Sequence, residues 1–375
     1  MPRRSATMLA SLLTLIALLF TALLIIPVPY AEMSPGPTYN TLGKDHKGMR
    51  VLEISGRKTY PTSGNLNMTT VRVTGPEYKM NLFEAVYGWI ADDRIVVPHD
   101  TLYPDDKTPE QVSQESAEEF SQSQEAAKVA ALRYLKIPVR SHVVVGTVFK
   151  DSPAQGRLHA GDVIKEVDGT AVKGPEDVGK LVTRHKPGQK VVFTVVPADK
   201  ARQAEKRGTE PRETKQVTIT TGKAPAEKGH AAKGAGAKDR AVVGIQAATD
   251  YTFPFSMNIR LADVGGPSAG LMFSLGLVDK LTPGKLTGGK FIAGTGTIEE
   301  DGQVGPIGGI AMKMIAARGK GAEYFLTPKD NCAEAAKHVP GGLTLVKVDT
   351  LKDAAHAVEK IGKGDAAGLP SCAKS

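Results

Sequence analysis

Cysteine and aromatic residues are scarce in this chain: two cysteines, one tryptophan, and 5% Phe, Trp and Tyr together. The cysteines, Cys332 and Cys372, belong to no CxxC pair, and neither HExxH nor a cysteine–histidine cluster occurs. Those spacings hold structural or catalytic zinc, so no metal is expected, and nothing calls for another cofactor. The shortage of aromatics also argues against a nucleic-acid surface, and the formal charge of +8 does not restore that reading. Residues 199–240 hold eleven Lys/Arg and six Asp/Glu, so +5 of the +8 lies in one stretch rich in Gly, Ala and Lys. Such a stretch is a solvated linker rather than a basic face. Two GxxxxGK matches, Gly174–Lys180 and Gly284–Lys290, are followed by Leu181 and Phe291. A phosphate loop needs a hydroxyl there to hold magnesium, and neither match follows a hydrophobic strand, so no ATPase module is expected.

What is present begins at the N-terminus. Met8 to Pro27 contains no charged residue and follows Arg3 and Arg4. About twenty apolar residues at 1.5 Å rise match the hydrocarbon thickness of a bilayer. The arginines predict a cytoplasmic N-terminus, a single-pass anchor over 8–27 in the cell membrane, and everything after Tyr30 outside. A cleaved signal peptide is the alternative, but it usually has a shorter apolar region, and Pro29-Tyr30-Ala31 is a poor cleavage site. Both versions export the remainder, where Cys332 and Cys372 could pair and staple the C-terminal tail. Sequence does not give their separation, so the pairing stays open.

At 375 residues the chain predicts two or three domains. MRVLEIS at 49–55 and NLNMTTVRVTG at 65–75 have β character, separated by Pro61, Ser63 and Gly64. From Thr108 to Lys136 the pattern is helical, with Thr108-Pro109 as cap and first position and Pro138 as stop. Its later half has an apolar face that should pack on something. Then comes HVVVGTVFKDSPAQGRLHAGDVIKEVDGTAV, followed by a helix from Gly174 to His185 and the strands KVVFTVVP and KQVTITTGK. This run resembles a PDZ domain. The resemblance implies a groove that adds a peptide as an extra strand and holds its terminal carboxylate. It also implies peptide-binding residues near Arg140, His142, Val143 and Val144. A domain that only fixes geometry is the bland alternative.

Two short motifs carry the chemistry. GGPSAG at 265–270 presents Ser268 on a turn of small residues, and PIGGIAMK at 306–313 delivers Lys313 on the first turn of a helix opened by Gly308 and Gly309. A serine attacks an amide near neutral pH only if something takes its proton, and an amine can do so once burial lowers its pKa. A lysine with a reference pKa of about 10.4 must lose roughly three units to act as a base near neutrality, which costs about 4 kcal/mol, mostly as desolvation. Ile310, Met312, Met314 and Ile315 flank Lys313 and could supply that environment. Gly265 and Gly266 allow close backbone approach, so amides from Gly265, Gly266 and Ala269 are candidate oxyanion donors. Leu271 to Leu281 reads as an apolar helix whose N-terminal dipole points at the same place.

From about Arg240 to Gly362 these motifs, with YTFPFSMNIRLA and AGTGTIEEDG, resemble the proteolytic domain of Lon peptidases. The whole arrangement is similar to bacterial membrane-anchored PDZ–Lon peptidases. By resemblance Ser268 is the nucleophile, Lys313 its general base, and Thr295 lies beside the amine; rings of identical subunits are also implied. Gly265 stands where Lon peptidases commonly have Asp, which bears on the shape of the oxyanion site. The expectation is an α+β multidomain chain. It comprises a cytoplasmic end and anchor over 1–30, a β-rich segment with a long helix over 31–137 and a PDZ-like domain over 138–223. A linker over 224–240, a Lon-type domain over 241–362 and a tail over 363–375 complete it. Its expected activity is ATP-independent endopeptidase action on exported or membrane-associated polypeptides, with engagement through their C-termini as one expected mode. Two alternatives remain. Gly266 to Gly270 satisfies GxSxG, which with His338 or His356 would make an α/β-hydrolase esterase. An inert scaffold that binds peptide tails is the other.

Overall fold

The computed structural model describes residues 3–45, 47–104, 106–206, 209–210, 212–224, 240–261 and 264–372. They form two compact units, one of Met1–Ile137 with Phe255–Ser375 and one of Pro138–Pro254. In chain order the first unit begins with α1 (Arg3–Ile25), β1 (Tyr30–Asn40), β2 (Leu52–Ser55), β3 (Asn65–Val73), α2 (Leu82–Ile90), β4 (Ile95–Pro98) and α3 (Pro109–Tyr134). The second unit supplies β5 (Arg140–Val148), β6 (Val163–Val167), α4 (Pro175–Val182), β7 (Lys190–Val196), β8 (Lys215–Thr220) and β9 (Ile245–Thr252). The chain then returns with β10 (Ser256–Ile259), α5 (Gly270–Leu281), β11 (Phe291–Gly294), α6 (Ile310–Gly319), β12 (Tyr324–Pro328), β13 (Thr344–Val348) and α7 (Leu351–Gly362).

The first unit is built on a mixed sheet ordered β13-β12-β11-β3-β1-β4. Its first four strands are mutually parallel, whereas β1 runs antiparallel to both β3 and β4. Helix α5 is mostly apolar and has eleven of its twelve residues buried, Lys280 being the exception. It contacts α3, where Phe120 and Phe273 meet edge to face with their centroids 5.9 Å apart. Helix α3 starts as its sequence predicts, with Thr108 and Gln111 forming a capping box and Pro109 in the first turn. Its apolar face, including Phe120, Ala127 and Val129 to Leu132, is the buried one. Helix α6 lies on β1 and β3. Cys332 and Cys372 are joined in a disulfide, their Cα atoms 5.0 Å apart.

The segment boundaries differ from those expected. Residues 31–137 are not a domain apart from the Lon-like segment, because β3 pairs in parallel with β11, Asn65 opposite Phe291 and Met68 opposite Gly294. Thr69 Oγ1 adds a bond to the Gly294 carbonyl across the same junction. Conversely, residues 241–254 do not open the proteolytic unit, because β9 pairs along the whole of β5 in the second unit. Pairings this distant in sequence leave no local trace, since each strand shows only its own alternation. The expected linker 224–240 lies, except for its two ends, outside the described residues.

The second unit is an antiparallel sheet ordered β9-β5-β6-β7-β8 around a core of Val145, Leu158, Ile164, Phe193 and Ile219. Helix α4 packs against β9 at the edge of this sheet. Pro175 lies in its first turn, and Val178, Leu181 and Val182 are its buried face.

Candidate active site

Three side chains from three separate segments of the first unit converge. Lys313, on the first turn of α6, places Nζ 2.7 Å from Ser268 Oγ and 3.0 Å from Thr295 Oγ1. Ser268 lies on the turn before α5, and Thr295 directly follows β11. The hydroxyl of Thr295 donates to the Ser268 carbonyl at 3.0 Å, and the Gly296 amide donates to the same oxygen at 2.9 Å. The serine's backbone is therefore clamped from the β11 side.

That geometry orients the protons. With its own proton spent on the Ser268 carbonyl, Thr295 Oγ1 faces Nζ as an acceptor. A neutral amine has two hydrogens and one lone pair, so donation to Thr295 leaves the lone pair free to face Ser268 Oγ–H. The amine is suited to be neutral: Lys313 is only 3% exposed, and burial brings its pKa down from 10.5 to about 7. Ile310, Met312 and Met314 are buried with it, as expected; Ile315 is only partly covered. Gly309 opens α6 in the left-handed region at φ 68°, where its backbone passes close to Val71 and Met33 of β3 and β1. This turn sets where Lys313 points.

A cavity of about 360 Å³ opens onto Ser268 and Lys313. Gly265 and Ala269 form part of its wall, but Pro37, Tyr39, Thr70 and Arg72 come from β1 and β3. Sequence reasoning missed these four. The nearest signal was Ser34-Pro-Gly-Pro37, and the structure has a register shift between Pro35 and Thr38 at that point, a bulge of the kind that borders sites. Also missed were Ser116 and Ser123 of α3. Ser123 Oγ donates to the Pro267 carbonyl at 2.8 Å, and the Gly266 amide donates to the Ser116 carbonyl at 2.9 Å. That second bond corrects one expectation, since the Gly266 N–H is already engaged and is not offered to an oxyanion. A Cβ on Gly265 would collide with Ser116 Oγ, which explains glycine where a larger residue was the comparison.

The other candidates fall elsewhere. His338 and His356 are exposed and do not line the cavity, so the Ser–His reading of GxSxG has no geometric basis. Arg140, His142, Val143 and Val144 do not line the PDZ-like groove. They lie on β5, which is covered by β9 along its full length and meets β6 at Val144, so it has no free edge to receive a peptide. The groove of about 850 Å³ lies instead between α4 and the segment 241–247, with Val178, Gly179, Val182, Ile245 and Ala247 in its lining. Its strand is β9, the last in the sheet, which reaches that place from a hundred residues downstream in sequence. Gly174–Lys180 is the cap and body of α4, and Gly284–Lys290 is the turn before β11.

Comparison with known families finds two domains, the first along the chain beginning within α3 and ending before β8. Residues 262–359 match the Lon protease (S16) C-terminal proteolytic domain, and residues 119–205 match the PDZ domain. The chain carries a Lon-type proteolytic domain and a PDZ domain. Such a proteolytic domain is of the serine-peptidase type. The chain is 40% identical over 91 residues to the Lon protease of Azospirillum brasilense, covering 24% of this chain and 11% of that protein. It is 39% identical over 101 residues to Lon protease 1 of Thermus thermophilus, covering 26% of this chain and 11% of that one. It thus spans about a tenth of the length of these relatives. Among solved structures, the PDZ domain of an SdrC-like protein from Listeria innocua matches at 23% identity, covering 30% of this chain and 99% of that chain with a TM-score of 0.21. The corresponding Listeria monocytogenes domain matches at 25% identity over 28% of this chain and 86% of that chain, with a TM-score of 0.20.

Proposed function

We propose that this chain is a membrane-anchored serine endopeptidase with a Ser268–Lys313 dyad, acting without nucleotide on exported or membrane-associated polypeptides. The carrying observation is the 2.7 Å approach of a buried amine to a hydroxyl at the floor of an open cavity. Neutral Lys313 takes the hydroxyl proton as Ser268 Oγ attacks the scissile carbonyl. The resulting ammonium then gives that proton to the leaving amine, and an acyl-enzyme ester remains. Water, deprotonated by the regenerated amine, hydrolyses the ester and restores the serine. Thr295 holds the amine and the serine backbone in register throughout. The amides of Ser268 and Ala269, at the N-terminal end of α5, are the donors suited to the developing oxyanion.

Anchoring is supported by α1, which from Thr7 to Ile25 is long and apolar enough to cross a membrane and has none of its residues buried. Arg3 and Arg4 favour a cytoplasmic N-terminus, and the disulfide suits an exterior compartment. The PDZ domain supports recognition of polypeptides, by addition of a strand to the free edge of β9 beside α4. The test is cleavage of an unfolded polypeptide by the full chain in detergent micelles. Turnover should vanish in Ser268→Ala and Lys313→Met and persist in His338→Ala and His356→Ala. Loss in either histidine variant, or no turnover by the unaltered chain, would defeat the reading.

A further inference from the structure

Helix α2 is inside out. On an ordinary surface helix the apolar stripe faces the core, but here Phe83, Val86, Tyr87 and Ile90, spaced i, i+3, i+4 and i+7, are all exposed. The face turned to the protein is made of Ala85 and Gly88, small enough for β4 to pass beneath; a Cβ on Gly88 would collide with Val96. The helix itself is well made, with Asn81 and Glu84 forming a reciprocal cap. An ordered helix with a contiguous apolar stripe toward the outside marks a surface that something else covers.

Its position says what. The amide of Leu82 donates to the Ile26 carbonyl, the amide of Val28 donates to the Met80 carbonyl, and Pro27 bridges Asn81, so α2 is stitched to the outer end of α1. The stripe is continuous with that helix: Phe20 meets Phe83 edge to face at 6.3 Å, and Phe83 stacks on Tyr87 at 6.5 Å. At the flank Trp89 meets Tyr30 at 5.3 Å while remaining 54% exposed. Tyr78, also exposed, donates its hydroxyl to Glu84, so its polar tip is held on the side away from the stripe's centre. Tryptophan and tyrosine beside the end of a span are the side chains that settle at the headgroup level of a bilayer. Charge does not decide the matter, since Lys79 and Arg94 are balanced by Asp92 and Asp93. Arg94 is in any case held by Glu32 and the Tyr87 ring.

We infer that α2 is an interfacial helix. Its Phe83–Val86–Tyr87–Ile90 stripe lies in the outer leaflet beside α1 and seats the proteolytic unit on the lipid surface. This rests on the reading of α1 as a span, and the test separates the two. Trp89 is the single tryptophan of the chain, so its fluorescence reports this place directly. The full chain is reconstituted in phosphatidylcholine vesicles whose lipid carries bromine either close to the headgroup or near the chain ends. Trp89 should lose roughly half its intensity to the shallow bromine and much less to the deep one, as expected of an interfacial ring. In a companion protein carrying Leu15→Trp with Trp89→Phe, the deep bromine should be the stronger quencher. If it is, and Trp89 in the unaltered chain is quenched by neither lipid, the anchor stands and the interfacial helix is overturned. A blue-shifted emission would then mean that protein covers the stripe, a red-shifted one that water does. If the companion is unquenched, the span fails and the inference with it. Phe83→Glu with Ile90→Glu should abolish the quenching of Trp89 while leaving cleavage of a soluble unfolded peptide in detergent unchanged. Persistent quenching in that variant also overturns the inference.

Discussion

A lysine that is 3% exposed with its pKa at about 7 has two measurable consequences, one for rate and one for stability. Only the neutral amine can accept the serine proton, so kcat/KM should rise about tenfold per pH unit below about 7 and level off above it, a single ascending limb. A profile flat from pH 5 to 9, on the order of the whole accessible range, would remove Lys313 from the role of base. The stability effect has the opposite flavour. The folded-state pKa lies below the unfolded value near 10.5, so between about 7 and 10.5 the unfolded chain binds the proton and the folded chain does not. Folding stability attributable to this group therefore increases with pH across that window, and below it the full cost of burying the charge is felt, on the order of 5 kcal/mol. Lys313→Met should accordingly raise Tm while abolishing turnover, and the gain over the unaltered chain should shrink as pH is raised from about 6 to about 10. Thr295 bonds both the Lys313 amine and the Ser268 carbonyl, and on the proposed mechanism it positions the pair. Thr295→Val should lower kcat by roughly ten- to a hundredfold with little change in KM, and Thr295→Ser should restore most of the loss by restoring the hydroxyl.

Among the elements, α6 shows how much depends on one backbone conformation. Gly309 enters the helix at φ 68°, and an added Cβ would meet Val71 Cγ1 at 2.9 Å and Met33 Cε at 3.1 Å. Gly309→Ala should therefore cost about 1–2 kcal/mol, measured by denaturant unfolding, and lower kcat by moving the turn that aims Lys313. Unchanged stability and rate would show that the turn relaxes freely. The glycine-opened start of this element was legible because PIGG and GGPSAG are local: a glycine pair and a small-residue turn betray their conformations in their own letters. The apolar character of α5 and the capped start of α3 were legible for the same reason. What α3 packs against was not. Ser116 and Ser123 read as ordinary polar helix residues, and only the fold brings them to Gly266 and Pro267, more than a hundred residues away. The groove of the PDZ domain was misplaced in a similar way. Arg140 to Val144 lie at the start of the PDZ-like run, but the free edge belongs to β9, which closes the sheet from beyond the linker. Strand order is a property of pairing, and pairing is not written in either strand alone.

Across the whole molecule, the disulfide and the interrupted chain matter most. Cys332–Cys372 closes a loop with sequence separation 40, and its loss should destabilise the first unit by about 2–4 kcal/mol through the entropy of the unfolded chain. Cys372→Ser with Cys332→Ser should show this as a lower denaturant midpoint with an unchanged pH–rate profile. The proteolytic unit is split by the insertion of Pro138–Pro254, so the groove beside β9 and the cavity at Ser268 belong to one covalent chain. On the proposed function, a polypeptide held in the groove by one segment would offer its remaining length to the cavity at an effective concentration set by the tether, which would change capture rather than the chemical step. Gly179 allows this to be tested without touching either the dyad or the core. It lines the groove, and a Cβ there would meet nothing within 4 Å. Gly179→Trp should fill the groove and raise KM for long unfolded substrates roughly tenfold, while kcat and the cleavage of short peptides lacking a groove-binding segment stay the same. Equal losses on long and short substrates would mean that the substitution disturbs the proteolytic unit itself. No loss on either would mean that polypeptides reach Ser268 without first occupying the groove.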